Sequence, residues 1–210
     1  MLFAVQTVAF IMMFKRGSWI CGFGVLALFV ASKTNWKYLL ILVVAVMSTF
    51  VLPPVRARME GLKQEFQSGS GRMMMWSEIT PVLVREHPWL GIGYRVLTPD
   101  MMAKINRHVE RNRNHLHSNI AQVVVETGFI GLFVYLLWMG SALFEGIRLV
   151  FSPKIAPAAG ILSMALLLML VFLLANGLVE YNFGDGELIL AYGIVMGCIS
   201  SARRLLPESV

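Results

Sequence analysis

Charge is scarce in this chain. Asp, Glu, Lys and Arg make up only 14% of its 210 residues, where an ordinary soluble domain carries about a quarter. Cysteine is scarcer still. Cys21 and Cys198 both fall inside apolar runs, with no CxxC or metal-ligand spacing, so they read as small packing residues rather than a disulfide or redox centre. The sequence has no phosphate-cradling P-loop and no nucleic-acid module. It opens without a positive n-region or a small-residue cleavage site, so no removable signal peptide is expected. The apolar run from residue 2 instead reads as a chain that begins part-way through a larger bundle.

Apolar sequence is what the chain has in plenty: it is 57% hydrophobic with a mean hydropathy of +0.70. The runs do not alternate in short segments, which excludes a β-barrel pattern. They fall at residues 1–14, 19–32, 38–52, 119–144, 159–178 and 188–202, separated by short charged clusters. This pattern implies an all-α, polytopic transmembrane helix bundle of about six spans. The expected divisions are three membrane helices in 1–54, a long and partly helical polar loop in 55–118, and three membrane helices in 119–210. Pro53-Pro54 ends the third run, because proline cannot continue a helical hydrogen-bond ladder.

The net charge of +6 reports orientation in such a chain. Lys33/Lys37, Arg148/Lys154 and Arg203/Arg204 alternate correctly to share the cytoplasmic face. The acidic stretch 180–187 and the loop 55–118 then share the opposite face. Lys15-Arg16 falls on that outer face against the rule, which suggests a cation kept there for an anionic ligand.

All four histidines (His87, His108, His115, His117) lie in the polar loop. Within it a helix is expected from Met73 to about His87, with Met75, Ile79, Val82 and Leu83 on one face. Asn119 and Gln122 read as the N-cap and N3 residues of a helix that enters the membrane. The outer face thus collects Arg16, Arg72, Arg107, Arg111, Arg113, His115 and His117. Guanidinium groups bind phosphate oxygens in a planar, bidentate way, and an imidazole beside them can act as a general base. Bland alternatives stand beside each: a loop arginine is usually solvated, and a histidine at a helix start often merely caps or lies on the surface. His115-x-His117 could hold a transition metal, but no third donor lies nearby in sequence, and no metal site is expected. Glu126, entering the membrane, reads as an ionisable functional group or as a bond to a neighbouring helix.

Three patches carry a resemblance. They are Phe14-Lys15-Arg16-Gly17-Ser18-Trp19; Gly71-Arg72 with Trp76, followed by His87-Pro88-Trp89-Leu90-Gly91-Ile92-Gly93; and His115-Leu116-His117-Ser118-Asn119 with Gln122, Glu126, Gly128 and Gly131. Together, and in this order, they resemble the O-antigen ligase / O-antigen polymerase superfamily of bacterial membrane glycosyltransferases, with Lys15 and Ser118 departing from the usual residues. Members of that superfamily are about twice this length, so the resemblance is to their C-terminal half, as expected of a fragment, of one part of a split gene that lacks its N-terminal half, or of a degenerate copy. It also implies a GT-C-like, metal-independent, inverting glycosyltransferase of the bacterial inner membrane that needs no cofactor. The donor would be an undecaprenyl-diphosphate-linked glycan, and the acceptor a hydroxyl of lipid A-core, another glycan or a protein. Carried onto this chain, Arg16 and Arg72 would neutralise the donor diphosphate and His117 would deprotonate the acceptor; Arg111, Arg113, His115 and Glu126 would bind substrate. A transporter, or a non-catalytic or truncated membrane subunit, is the alternative from another class.

Overall fold

The structure is a computed structural model that describes residues 16–33, 36–49, 51, 53, 56, 71–109, 114–152 and 157–204. The chain divides into two compact units, Met1–Ser70 and Gly71–Val210. The expected span at 1–14 and the arginines Arg111 and Arg113 lie outside the described residues.

The first unit contributes two packed helices, α1 (Arg16–Lys33) and α2 (Trp36–Thr49). Both are largely apolar along their length.

The second unit is built on two cores. Its lower core is a three-helix bundle of α6 (Asn119–Val150), α7 (Pro157–Val179) and α8 (Gly186–Arg204). Tyr135, Met139, Leu170, Leu173, Tyr192, Val195 and Ile199 interlock inside it. The opposite faces stay apolar and uncovered, as at Phe133, Leu137, Phe144, Ile161 and Leu190. In water such a surface would be a liability, but against lipid it is the natural solvent-facing side. Among the described residues, two helices are long and apolar enough to cross a membrane, Asn119–Val150 and Ala159–Val179; Ser18–Ala31 and Gly186–Ala202 are shorter apolar helices.

The upper core belongs to the polar segment. α3 (Arg72–Met74), a π-helical turn at Met75–Ile79 and α4 (Thr80–Glu86) run as one rod, which is the helix expected from the apolar periodicity. Met75, Ile79 and Leu83 are buried along one face while Glu78 and Arg85 are exposed. The π-helical turn comes just before Pro81. Proline has no N–H to give the fourth carbonyl back and crowds it, and a wider turn relieves that crowding. The Thr80 hydroxyl reinforces the wide turn by donating at 2.9 Å to the Met75 carbonyl, which also accepts the Thr80 backbone N–H. This rod and α5 (Pro99–Ile105), with Met102 fully buried, pack on Leu116 and on Ala121, Val124 and Val125 at the start of α6.

α6 is not one straight helix. Gly128 sits at φ 66°, ψ −169° and breaks it, in a region of backbone space essentially reserved for glycine. A break strands carbonyls above it and N–H groups below it. The stretch 88–93 satisfies them. Ile92 and Gly93 donate to the Val125 and Glu126 carbonyls, both at 2.9 Å, while Phe129 donates to the Pro88 carbonyl at 2.8 Å and Ile130 to that of Trp89 at 3.4 Å. A Cβ on Gly91 would stand 2.4 Å from the Glu126 backbone, and one on Gly128 would stand 2.2 Å from that of Trp89. Two glycine-bearing patches far apart in sequence are therefore the two sides of one backbone joint.

Candidate active site

The site forms where three segments of the second unit meet: the start of α3, residues 114–119, and the connector between α7 and α8. Gly71 precedes α3 at φ 87°, ψ −142°. That positive φ suits glycine, and Arg72 is the first residue of the helix.

His117 has φ 51°, in the left-handed region that a branched or bulky residue enters at a cost. Its neighbours hold it there. Trp76 donates its indole N–H to the Leu116 carbonyl at 2.7 Å. The Leu116 N–H donates to the Gln122 side-chain oxygen at 2.9 Å. Ser118 is the N-cap of α6, its hydroxyl accepting from Ala121 N–H at 3.5 Å. This corrects the expected Asn119–Gln122 capping pair. Asn119 is freed for another task because the serine before it caps, and Gln122 reaches back over the first turn rather than to a cap.

Asn119 clamps the connector. Its side-chain oxygen accepts from the N–H groups of Asn182 and Phe183, both at 3.0 Å, and its NH₂ donates to Asn182 Oδ1 at 2.6 Å. Asn182 in turn donates to the Leu173 carbonyl at 3.0 Å, and the Tyr192 hydroxyl donates to that carbonyl at 2.8 Å. Both asparagines are almost fully buried, where unpaired amides would be costly.

The clamp delivers Glu180 to His117. Glu180 Oε1 lies 2.8 Å from His117 Nδ1, and Oε2 accepts from Arg72 at 2.9 Å. His115 Nε2 is 3.8 Å from Oε1, an electrostatic neighbour rather than a hydrogen-bond donor. The two imidazole rings are 4.3 Å apart. Burial alone would raise the Glu180 carboxyl, but the two histidines and the Arg72 charge outweigh it and hold the group well below the usual carboxylate range. It is an anion between cationic and N–H-bearing groups. With Nδ1–H donated to Glu180, the neutral tautomer would carry its lone pair on Nε2. A ring oriented by a carboxylate in this way can serve as a general base.

Beside His115 opens a cavity of about 590 Å³, lined among others by Arg95, Asn114, Glu126, Tyr181 and Asp185. Glu126 is buried there and bonds within its own helix and to a loop, accepting from Gln122 Nε2 and from Arg95 N–H, both at 2.9 Å. The Arg95 guanidinium donates across to the Gly184 carbonyl at 3.1 Å. Burial first, then the Glu126 charge, push the Tyr181 phenol up, so it stays a neutral hydrogen-bonding ring.

The structure thus brings Arg72, His115 and His117 together and sets Glu126 in the adjoining cavity. Arg107 lies in an exposed turn. Arg16 opens α1 in the other unit. The residue that sequence reasoning missed is Glu180. It lies 63 positions beyond His117, in a stretch that reads only as an acidic connector. It also supplies the third metal-capable donor that the sequence around His115 and His117 lacks.

A family model described as O-antigen ligase matches residues 1–136 of the chain. The chain belongs to the O-antigen ligase family. It is a membrane protein by that membership and by its apolar helices, and the family implies a ligase-type glycosyltransferase acting on lipid-linked glycans. No curated protein matches the chain. Within this O-antigen ligase domain lie Arg72, His115, His117 and Glu126; Glu180 comes from beyond the matched residues.

Proposed function

We propose that the protein transfers a glycan from an undecaprenyl-diphosphate donor to an acceptor hydroxyl at the periplasmic face, with His117 as general base. The observation that carries this is the 2.8 Å contact between His117 Nδ1 and a Glu180 carboxylate that Arg72 also holds. In the step, His117 Nε2 takes the acceptor hydroxyl proton as the oxygen attacks the anomeric carbon. The bond from that carbon to the diphosphate oxygen breaks, and undecaprenyl diphosphate leaves with the electron pair, so the configuration inverts. Base catalysis of this kind contributes about 10²–10⁴-fold.

Arg72 is 35% exposed and spends one donor on Glu180. A guanidinium has five N–H donors in a rigid fork, so Arg72 can hold Glu180 and stabilise the leaving diphosphate together. Arg16, Arg111 and Arg113 are the further cations proposed to meet the donor. The 590 Å³ cavity beside His115, with its mixed carboxylate, amide and phenol lining, suits a sugar acceptor. In this reading about six spans place the loop 55–118 and the connector 180–187 on the outer face.

The test is glycan transfer from a purified lipid-linked donor in detergent. His117→Ala should lower the rate by about 10²–10⁴-fold with the thermal transition intact. Full activity in that variant removes His117 from the mechanism. Cysteine labelling that places His108 or Asn114 in the cytoplasm removes the periplasmic assignment.

A further inference from the structure

We propose that His115, His117 and Glu180 form a site for a divalent transition metal of the zinc class, and that its occupancy switches the base off. His115 Nε2, His117 Nδ1 and Glu180 Oε1 lie within 4.8 Å of one another. Zinc bonds of about 2.0–2.1 Å in a tetrahedron set neighbouring donors about 3.3 Å apart. The two separations measured from Glu180 Oε1, 2.8 Å to His117 and 3.8 Å to His115, bracket that edge. Small rotations of the rings and carboxylate would close the site around an ion.

The orientation of His115 is the second observation. Its Nδ1 lies 2.9 Å from the Asn114 side-chain oxygen. That oxygen can only accept, so Nδ1 carries an N–H toward Asn114 and Nε2 is the ring nitrogen turned toward Glu180 Oε1, 3.8 Å away. A metal-bound histidine usually gives its other N–H to an oxygen in this way. Arg72 holds Glu180 Oε2 and leaves Oε1 to the metal. Among the described residues the donors number three, the count found in zinc sites that exchange their outer ligand.

Occupancy has a definite consequence for His117. The metal takes Nδ1, the proton held there is lost to solvent, and Nε2 gains one in its place if the ring stays neutral. A protonated Nε2 cannot accept a proton from a hydroxyl. The metal is thus a reversible inhibitor and takes no part in transfer. The inhibitory half rests on the base assignment under the proposed function, while the binding half stands on geometry alone.

Binding is tested without any substrate. The full chain in detergent is titrated with zinc chloride against a chromophoric chelator. The expected result is one ion per chain, with affinity falling at least about tenfold in His115→Ala and in Glu180→Gln, and unchanged in His87→Ala and His108→Ala. No uptake by the wild-type protein, or equal affinity in His115→Ala and wild type, overturns the site. Zinc at the same concentrations should inhibit glycan transfer and a chelator should restore it. Zinc that binds through His115 while transfer continues refutes the switch and the base assignment but leaves the metal site standing.

Discussion

Replacing Glu180 by glutamine tests the chemistry most sharply, because Arg72 dictates how the new amide must lie. The carboxylate offers one oxygen to Arg72 at 2.9 Å and the other to His117 Nδ1 at 2.8 Å. A glutamine has a single oxygen and a single NH₂. The guanidinium can only donate, so it claims the oxygen and turns the NH₂ toward His117. Nδ1 must then accept, and the ring proton moves to Nε2, the atom proposed to take the acceptor proton. In a serine hydrolase the equivalent wrong tautomer costs about 10⁴-fold in kcat. A partly exposed site is more forgiving, so a loss of about 10²–10⁴-fold is expected in kcat, with a much smaller change in KM for the lipid-linked donor. Glu180→Asp keeps the charge and should recover part of the rate. The assay is initial-rate glycan transfer in detergent, with thermal unfolding confirming that each variant folds. A kcat for Glu180→Gln within about threefold of wild type would refute the orienting role.

Two further outcomes follow from the geometry. Gly128→Ala forces a side chain into a glycine-only conformation, which costs about 1–3 kcal/mol. It also drives a Cβ against the Trp89 backbone, so with partial loss of the joint's hydrogen bonds at about 1 kcal/mol each the total is roughly 2–5 kcal/mol; unchanged denaturant stability would show that the joint is not built as described. The Glu180 carboxyl is held below its usual range, so its ionised form favours the folded state. That contribution is complete above the unfolded value of about 4.3 and is lost as pH falls below it toward the lower, folded value. Thermal scans from neutral to acid pH should show a fall that Glu180→Gln lacks; parallel curves for the two proteins would contradict it.

Much of this was legible from residue types and spacing. Apolar runs between charged clusters announced the helices, and Met75, Ile79 and Leu83 announced the buried face of the loop rod. Arg72, His115 and His117 stood out because they fall in one polar loop and in the patches that carry the family resemblance. Glu180 did not stand out, because Asp185 and Glu187 share its stretch. Which acid turns inward is decided by Asn119 and Asn182, and a buried amide pair has no periodicity to betray it. The break at Gly128 was hidden for a related reason. Apolar residues resume directly after the Glu126-Thr127-Gly128 stretch and run from Phe129 to Leu137, and the carbonyls and N–H groups that the break exposes find their partners more than 30 positions away.

That break also has a meaning for depth. At about 1.5 Å per residue, the 32 residues of α6 would measure about 48 Å, well beyond the roughly 30 Å of a bilayer's hydrocarbon. Counted only from Phe129 to Val150, the rod is about 33 Å long, a close match to that thickness. Trp89, Leu90, Phe129 and Ile130 are all exposed around the junction, an apolar collar of the kind that settles at the lipid surface. Asn119 stands nine residues before Gly128, about 13 Å along the axis. Under the proposed function, with the collar at the lipid surface, the His117–Glu180 pair would then meet the diphosphate and the sugars of a lipid-linked molecule while the hydrocarbon tail stays behind in the bilayer.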